Sequence, residues 1–328
     1  MNVGAVDVQF TRSDEESVRI TLVHNPAAGD ELHEGDDLLE ELAEAGYEAR
    51  LVAGKKKLEK KLDEALEDAG ELVVVAAGDG GVRRVALALA GRDVPMAILP
   101  IGTANNIAKS LGVSGAVREL VAGWRRAKRR KLRIGSVAAR GGAMRFVESA
   151  GVGLFAELVT RGGEEAQGNS AGLTGNPIDR ALALLQRIVS EQEPEFRRLV
   201  LDGTDLSGEY LMVEAMNIPL AGPNVQLAPG ADLGDARLDL VTVSEAERKR
   251  LEEYLRARLA GEAAPLELPV RRGRRIQLGA VPDDLHVDDD AWDPEEAEAS
   301  AREPAPGEVT IALEGGAVEV LVPRQERT

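Results

Sequence analysis

The chain of 328 residues contains no cysteine. That absence excludes a disulfide framework, thiolate metal sites and a cysteine nucleophile, and it fits a reducing compartment. Histidine is nearly as scarce: His24, His33 and His286 are the only three, and none is spaced like a metal site. No run approaches the roughly 18 apolar residues that a membrane span needs, and residues 1–17 lack the basic-then-apolar layout of a signal peptide. The expected location is the cytoplasm, with peripheral attachment to a membrane left open. Basic residues are outnumbered, 40 against 57 acidic, for a formal net charge of −17. Such a surface repels a phosphate backbone, so no nucleic-acid partner is expected, and any membrane contact must be local. What is plentiful is apolar material: 44% of the chain is hydrophobic, ample for real cores, and the length predicts about two domains.

The most informative stretch runs over residues 72–111. Leu72-Val73-Val74-Val75-Ala76-Ala77 is a continuous apolar, β-branched run that reads as a strand buried on both faces. The turn Gly78-Asp79-Gly80-Gly81 follows, and Val82, Val85, Ala86 and Leu89 mark the apolar face of the next helix. Glycines leave backbone N–H groups free at that helix N-terminus, where phosphate is favoured. Alone, Gly-Asp-Gly is equally at home in an ordinary turn. A second loop strengthens the phosphate reading: Ala97-Ile98-Leu99-Pro100 is the next strand, and its loop ends in Thr103 and Asn105, short polar side chains suited to a cap or a phosphate contact. Two such loops at neighbouring strand ends define the crevice where α/β sheets bind ligands.

Elsewhere the chain alternates strand and helix up to Leu111 and then changes character. Residues 18–23 and 47–52 read as strands, with an Asn25-Pro26 turn after the first and a helix over 37–45 between them. Lys55-Lys56-Lys57 heads an amphipathic helix. Trp124 to Arg133 is the strongest cationic run; it reads as a solvated linker, or as a dock for an anionic lipid surface with Trp124 at the interface. Beyond it short strands dominate, among them 144–149, 210–217, 285–287, 309–313 and 317–322, which predicts an antiparallel β-rich second domain. Helices interrupt it at 155–159, 178–190 and 245–259, with a Gly/Asn-rich loop over 162–176 as a candidate lid. The fold class is therefore α/β: an N-terminal doubly wound nucleotide domain over 1–131 and a C-terminal β-rich, sandwich-like domain over 132–328, the strand near 317–322 returning to the first.

The combined pattern resembles the diacylglycerol kinase catalytic family, which includes sphingosine, ceramide and bacterial lipid kinases. The residues that carry the resemblance are His24 to Gly29, Gly78-Asp79-Gly80, Leu99 to Gly112 with its Pro-x-Gly-Thr-x-Asn core, Ala150-Gly151-Val152-Gly153, Leu227 to Ala231, and Val287-Asp288-Asp289-Asp290. The resemblance implies ATP-dependent phosphorylation of a lipid hydroxyl with Mg²⁺. Carried onto this chain, Ala77, Gly78, Asp79, Gly80 and Gly81 would bracket the ATP phosphates, Asp79 would orient Mg²⁺, Gly102 and Thr103 would contact the nucleotide, and Asn25 and Asn105 would shape the pocket. A structural metal loop falls at Asp232 and Asp235. The proton acceptor falls on Asp290, or on Asp288. The implied partners are a lipid substrate and a transient anionic membrane contact, with a homodimer left open.

Departures from the family pattern stand in the first loop and the acidic turn. Ala77 replaces a glycine, Gly81 a threonine, Arg83-Arg84 an Asn-Glu pair, and Asp290 a glutamate one methylene longer. The altered loop leaves room for a catalytically impaired nucleotide- or lipid-binding protein of the same fold. An NAD kinase-like phosphotransferase is a second alternative, since that family shares a related glycine loop. A redox dinucleotide enzyme is disfavoured, because no Gly-x-Gly-x-x-Gly turn follows the first strand.

Overall fold

The structure, a computed structural model, describes residues 17–25, 35–53, 58–167, 176–279, 284–295, 297–298, 304 and 307–324. The N-terminal arm, the turn at 26–29, His33, Lys55 to Lys57 and the centre of the 162–176 loop lie outside the described residues. The chain divides into two compact units, Met1–Leu132 with Gly316–Thr328, and Arg133–Gly315.

In the first unit the elements are β1 (Val18–His24), α1 (Gly35–Glu44), β2 (Tyr47–Ala53), α2 (Leu58–Leu66), β3 (Leu72–Ala77), α3 (Asp79–Leu89), β4 (Met96–Pro100), α4 (Asn106–Leu111) and α5 (Val117–Gly123). In the second are β6 (Gly142–Phe146), β7 (Ser149–Gly153), α6 (Leu154–Gln167), α7 (Pro177–Glu191), β8 (Glu195–Arg197), β9 (Leu199–Leu201), β10 (Thr204–Asp205), β11 (Gly208–Tyr210), β12 (Met212–Met216), β13 (Leu220–Ala221), β14 (Val225–Gln226), β15 (Leu238–Val243), α8 (Glu245–Leu259), β16 (Val270–Gly273), β17 (Arg275–Gly279), β18 (Leu285–Val287) and β19 (Asp290–Ala291). Two long strands, β5 (Lys128–Ala139) and β20 (Glu308–Val322), carry residues of both units.

The first unit is a parallel sheet in which β4, β3, β1 and β2 lie side by side, extended beyond β4 by the end of β20, where Val320 pairs with Met96. All six residues of β3 are buried, as the unbroken apolar run requires of a central parallel strand. Helices cover the sheet through short apolar stripes, Leu38 and Leu42 on α1 and Val82, Val85, Ala86 and Leu89 on α3. The cationic run is not a linker. Trp124 is 4% exposed and packs edge-to-face on Tyr47 at 5.6 Å, while Arg125 lies over the same Tyr47 ring. From Lys128 the run is strand, and its apolar residues Leu132 and Ile134, two positions apart, are buried.

The second unit has three layers. Its six-stranded antiparallel sheet runs in the order β16-β15-β12-β7-β18-β19. One face, with Val152, Val213, Leu240 and Leu285, packs on Phe146, Leu199, Ile276 and Ile311 from strands β6, β9, β17 and β20. The other, with Met212, Met216 and Val243, packs on Phe155, Leu185 and Leu255 of α6, α7 and α8. Alternation along each strand thus feeds two cores, which is why the middle strands are buried throughout.

Two expectations are corrected here. Residues 309–313 and 317–322 are one strand, since Gly315 and Gly316 stay out of the positive-φ region and leave the strand extended. Helix α6 continues through Gly162-Gly163 to Gln167, so the loop begins later than its glycines suggest. The sheet makes a stability test available: Leu99 on β4 is 0% exposed, and Leu99→Ala is expected to cost about 2–5 kcal/mol, read as a lower urea midpoint by circular dichroism.

Candidate functional site

The first unit brings the two sequence-predicted turns into contact. A Cβ placed on Gly102 would lie 2.2 Å from Gly78 Cα, so the second turn tolerates no side chain there, and one placed on Gly78 would lie 3.2 Å from Gly102 Cα, a tight contact. Gly78 is extended and precedes α3 with no side-chain hydrogen bond capping the helix, while its own carbonyl accepts the N–H groups of Gly81 and Val82, each at 3.0 Å. Gly80 is exposed, with nothing within 4 Å of where its Cβ would stand. Thr103 is exposed at the bend of the second turn. Asn25, at the end of β1, donates its backbone N–H to Ala76 O at 3.1 Å, which sets it beside the end of β3.

Asp79 and Asn105 hold this arrangement. Asp79 is 8% exposed, and its Oδ1 accepts the Ile107 N–H at 2.9 Å, bridging the start of α3 to the start of α4. Burial pushes its carboxyl above the ordinary carboxylate range, and the N–H groups of Ile107 and Asn106 with the Lys109 charge draw it partly back. Asn105 sits in the left-handed region at φ 52°. Its side chain accepts from Gly102 N at 3.0 Å and donates to Gly102 O at 2.6 Å and Pro100 O at 3.2 Å, pinning the second turn.

The altered first loop has a steric logic. A Cβ on Gly81 would meet the Ala77 methyl at 2.4 Å, so the methyl gained at 77 and the side chain lost at 81 are two halves of one packing solution. Arg84 is exposed and Arg83 half-buried on the first turns of α3.

The second unit holds a cavity of about 610 Å³ between its sheet and α6 and α7. Phe155, Leu158, Val159, Ile178, Ala181 and Leu184 make its apolar wall, and Glu148, Ser149, His286, Asp288 and Asp289 its polar end. Asp288 is buried in the left-handed conformation at φ 53°, and its carboxylate accepts N–H groups from Val147 at 2.9 Å, Glu148 at 2.7 Å and Ser149 at 3.1 Å. That carboxylate is spent on the backbone. Asp290 is exposed at the start of β19, and Asp289 stands between them at the cavity.

Asp232 and Asp235 close tight turns, accepting from Gly234 N at 3.1 Å and Arg237 N at 2.8 Å. Arg272 ion-pairs with Asp235 and approaches Asp239 at 3.6 Å, so the Asp235 carboxylate already has a positive partner. Among the described residues no three His, Asp or Glu side chains gather as a metal site.

Sequence reasoning missed Glu214 and His286. Glu214 is 0% exposed on β12, and His286 Nε2 lies 3.0 Å from its Oε2. Burial alone would push the imidazole down, but the Glu214 charge and hydrogen bond, with the Asp288 carbonyl, lift it to about 9. A lone carboxylate inside the apolar run Leu211 to Met216, and a lone histidine between Leu285 and Val287, were the available signals.

Two outcomes follow. Gly81→Thr alone is expected to destabilise the fold by about 1–3 kcal/mol, whereas Ala77→Gly with Gly81→Thr recovers most of that loss in a double-mutant cycle. A histidine raised in the folded state adds stability that is complete below its unfolded pKa near 6.5 and lost as pH rises through about 9. The melting temperature should therefore fall between those pH values more steeply in the parent than in His286→Gln, measured by calorimetry.

Known proteins place these features. A domain described as the diacylglycerol kinase catalytic domain matches residues 19–137, and one described as the YegS C-terminal NAD kinase beta sandwich-like domain matches residues 166–313. The diacylglycerol kinase of Mycobacterium tuberculosis is 25% identical over 279 residues, covering 82% of this chain and 83% of its own. That of Bacillus subtilis is 26% identical over 251 residues, covering 73% and 77%. A YegS-like lipid kinase of Stenotrophomonas maltophilia is 27% identical over 269 residues, covering 79% and 84%. A crystal structure of a Bacillus anthracis diacylglycerol kinase superposes with a TM-score of 0.63 at 19% identity, over 94% of this chain and 98% of the other, and speaks for the fold. With both domains matched in order and relatives spanning most of the chain, the protein belongs to the diacylglycerol kinase catalytic family.

Proposed function

We propose that the chain is an ATP-dependent lipid kinase that moves the γ-phosphate to a hydroxyl of a diacylglycerol- or sphingosine-like lipid. One observation carries the reading: the backbones of Gly78 and Gly102 touch at neighbouring strand ends, beside a helix amino end that no side chain caps. Such a cradle takes phosphate oxygens on backbone N–H groups, with the exposed Gly80 and Thr103 at its open side. Phosphoryl transfer asks mainly for positioning and charge neutralisation, and Mg²⁺ carried on the triphosphate supplies the latter. The buried Asp79 carboxylate is the acidic group next to that charge.

The apolar cavity of the second unit supports a lipid acceptor, since its wall suits an acyl chain and its polar end a hydroxyl. In the transfer the lipid hydroxyl oxygen bonds to the γ-phosphorus as the bond to the bridging oxygen of ADP breaks, and the hydroxyl proton passes to a carboxylate. Asp290 and Asp289 are the candidates for that role, with Asp288 as their anchor. The packing match of Ala77 with Gly81 favours a working loop over an impaired one. Among the described residues no helix is long and apolar enough to cross a membrane, so lipid would be met at a surface, where exposed Arg126, Lys128 and Lys131 offer local positive charge.

The test is incubation with γ-labelled ATP, Mg²⁺ and a panel of diacylglycerol, sphingosine, phosphatidylglycerol and NAD. Label is expected in a lipid; label in NAD alone would favour the NAD kinase-like alternative. Asp79→Asn is expected to remove the transfer while the chain still folds, read as an unchanged far-ultraviolet circular dichroism spectrum at the assay temperature, since the amide keeps one oxygen for the Ile107 N–H.

A further inference from the structure

Strands β18, β7 and β12 lie side by side, and their register sets His286, Gly151 and Glu214 in one row. Gly151 carries no side chain, and a Cβ there would lie 2.3 Å from Glu214 Oε2. The histidine and the glutamate reach across this gap and meet at 3.0 Å. On its other side the imidazole points Nδ1 at Asp288 O, 2.8 Å away. A carbonyl only accepts, so Nδ1 carries a proton and donates it, and a second proton lies between Nε2 and Glu214. Phe155 stacks on the ring at 6.3 Å between centroids, closing it in from α6.

Both imidazole nitrogens are thereby used, and neither is left for a ligand. The pair is also expensive: Glu214 is fully buried, and among the described residues its Oε1 has no hydrogen-bond partner. What it secures is the Asp288 peptide. That residue sits in a left-handed turn disfavoured for a side-chain-bearing residue. The turn is gripped twice, by the backbone N–H groups that take its carboxylate and by His286 on its carbonyl. Asp289 and Asp290 follow directly.

We propose that Glu214 and His286 are positioning residues: meeting over Gly151, they fix the Asp288 turn so that Asp289 faces the acceptor hydroxyl at the polar end of the cavity. The inference rests on the lipid-kinase reading for its reaction, but not for the geometry it tests. A Cβ on Gly151 would also meet Val213 O at 2.3 Å, so both the pair and the neighbouring strand's backbone keep this position bare.

Two double variants of equal charge and similar bulk separate positioning from mere packing. Glu214→Gln with His286→Asn keeps an amide N–H where Nδ1 was, within reach of the Asp288 carbonyl. Glu214→Gln with His286→Gln places it where Nε2 was, against residue 214. The expected result is a kcat for lipid phosphorylation about 10–100-fold lower in the second variant, with KM for ATP unchanged, and recovery toward the parent in the first. Equal loss in both, or loss in neither, would overturn the proposal. A second readout needs no turnover: the affinity of a pyrene-labelled long-chain alcohol relative to the matching pyrene alkane. The preference for the hydroxyl should weaken in the His286→Gln pair and persist in the His286→Asn pair; equal preference in both would again overturn it. If the parent phosphorylates no lipid yet the two variants differ in this preference, the kinase reading fails and the positioning role stands.

Discussion

The contact between Gly78 and Gly102 is the constraint on which the first unit depends. Two parallel strands end side by side, and their turns close until a single methyl group would force them apart. Beside that approach the amino end of α3 has no side-chain cap. Holding two backbones so close needs ties, and two polar side chains provide them. Asp79 reaches from one helix start to the next, and Asn105 fastens the second turn to itself in a left-handed conformation. A buried carboxylate costs stability, and this one is kept at a place where charge is expected to be handled.

The second unit follows a related logic with different materials. Its apolar cavity ends in a cluster of acids and one histidine, groups that a hydrocarbon wall cannot hold without partners. Backbone N–H groups absorb the charge of Asp288, and Glu214 and His286 absorb each other. Both arrangements depend on cross-strand register, because only strands of fixed alignment bring a carboxylate, a bare glycine and an imidazole into one row. In both units the reactive end of a site is built where strands stop, on turns whose shape is enforced by hydrogen bonds from neighbouring elements.

Much of this was legible in the chain because it depends on local rules. The valine run of β3 has few alternatives to a buried strand, and the apolar spacing after Gly81 has few alternatives to a helix. Where local signals were weak or shared between outcomes, the reading went astray. Gly315 and Gly316 read as a break because glycine is common in turns, yet an extended glycine continues a strand when neighbours pair with it. Trp124 stood in a run that read as a solvated linker, or as a lipid dock, but Tyr47, far away in sequence, takes its ring into the core. Gly162 and Gly163 looked like a loop, and the flanking apolar residues of α6 carry the helix through them.

Sequence alone determined the order of strands and helices in the first half, the β-rich second half and the place of the two glycine turns, because strand burial, helix amphipathicity and turn chemistry act between near neighbours. The tertiary structure alone decided which of the acids the backbone takes up. Asp288, Asp289 and Asp290 are equivalent as letters, and it is the carboxylate of Asp288 that lies against the N–H groups of Val147, Glu148 and Ser149. It likewise paired Glu214 with His286 and Ala77 with Gly81, since charge and volume are settled by whatever packs alongside, and strand register chooses those neighbours from distant parts of the chain.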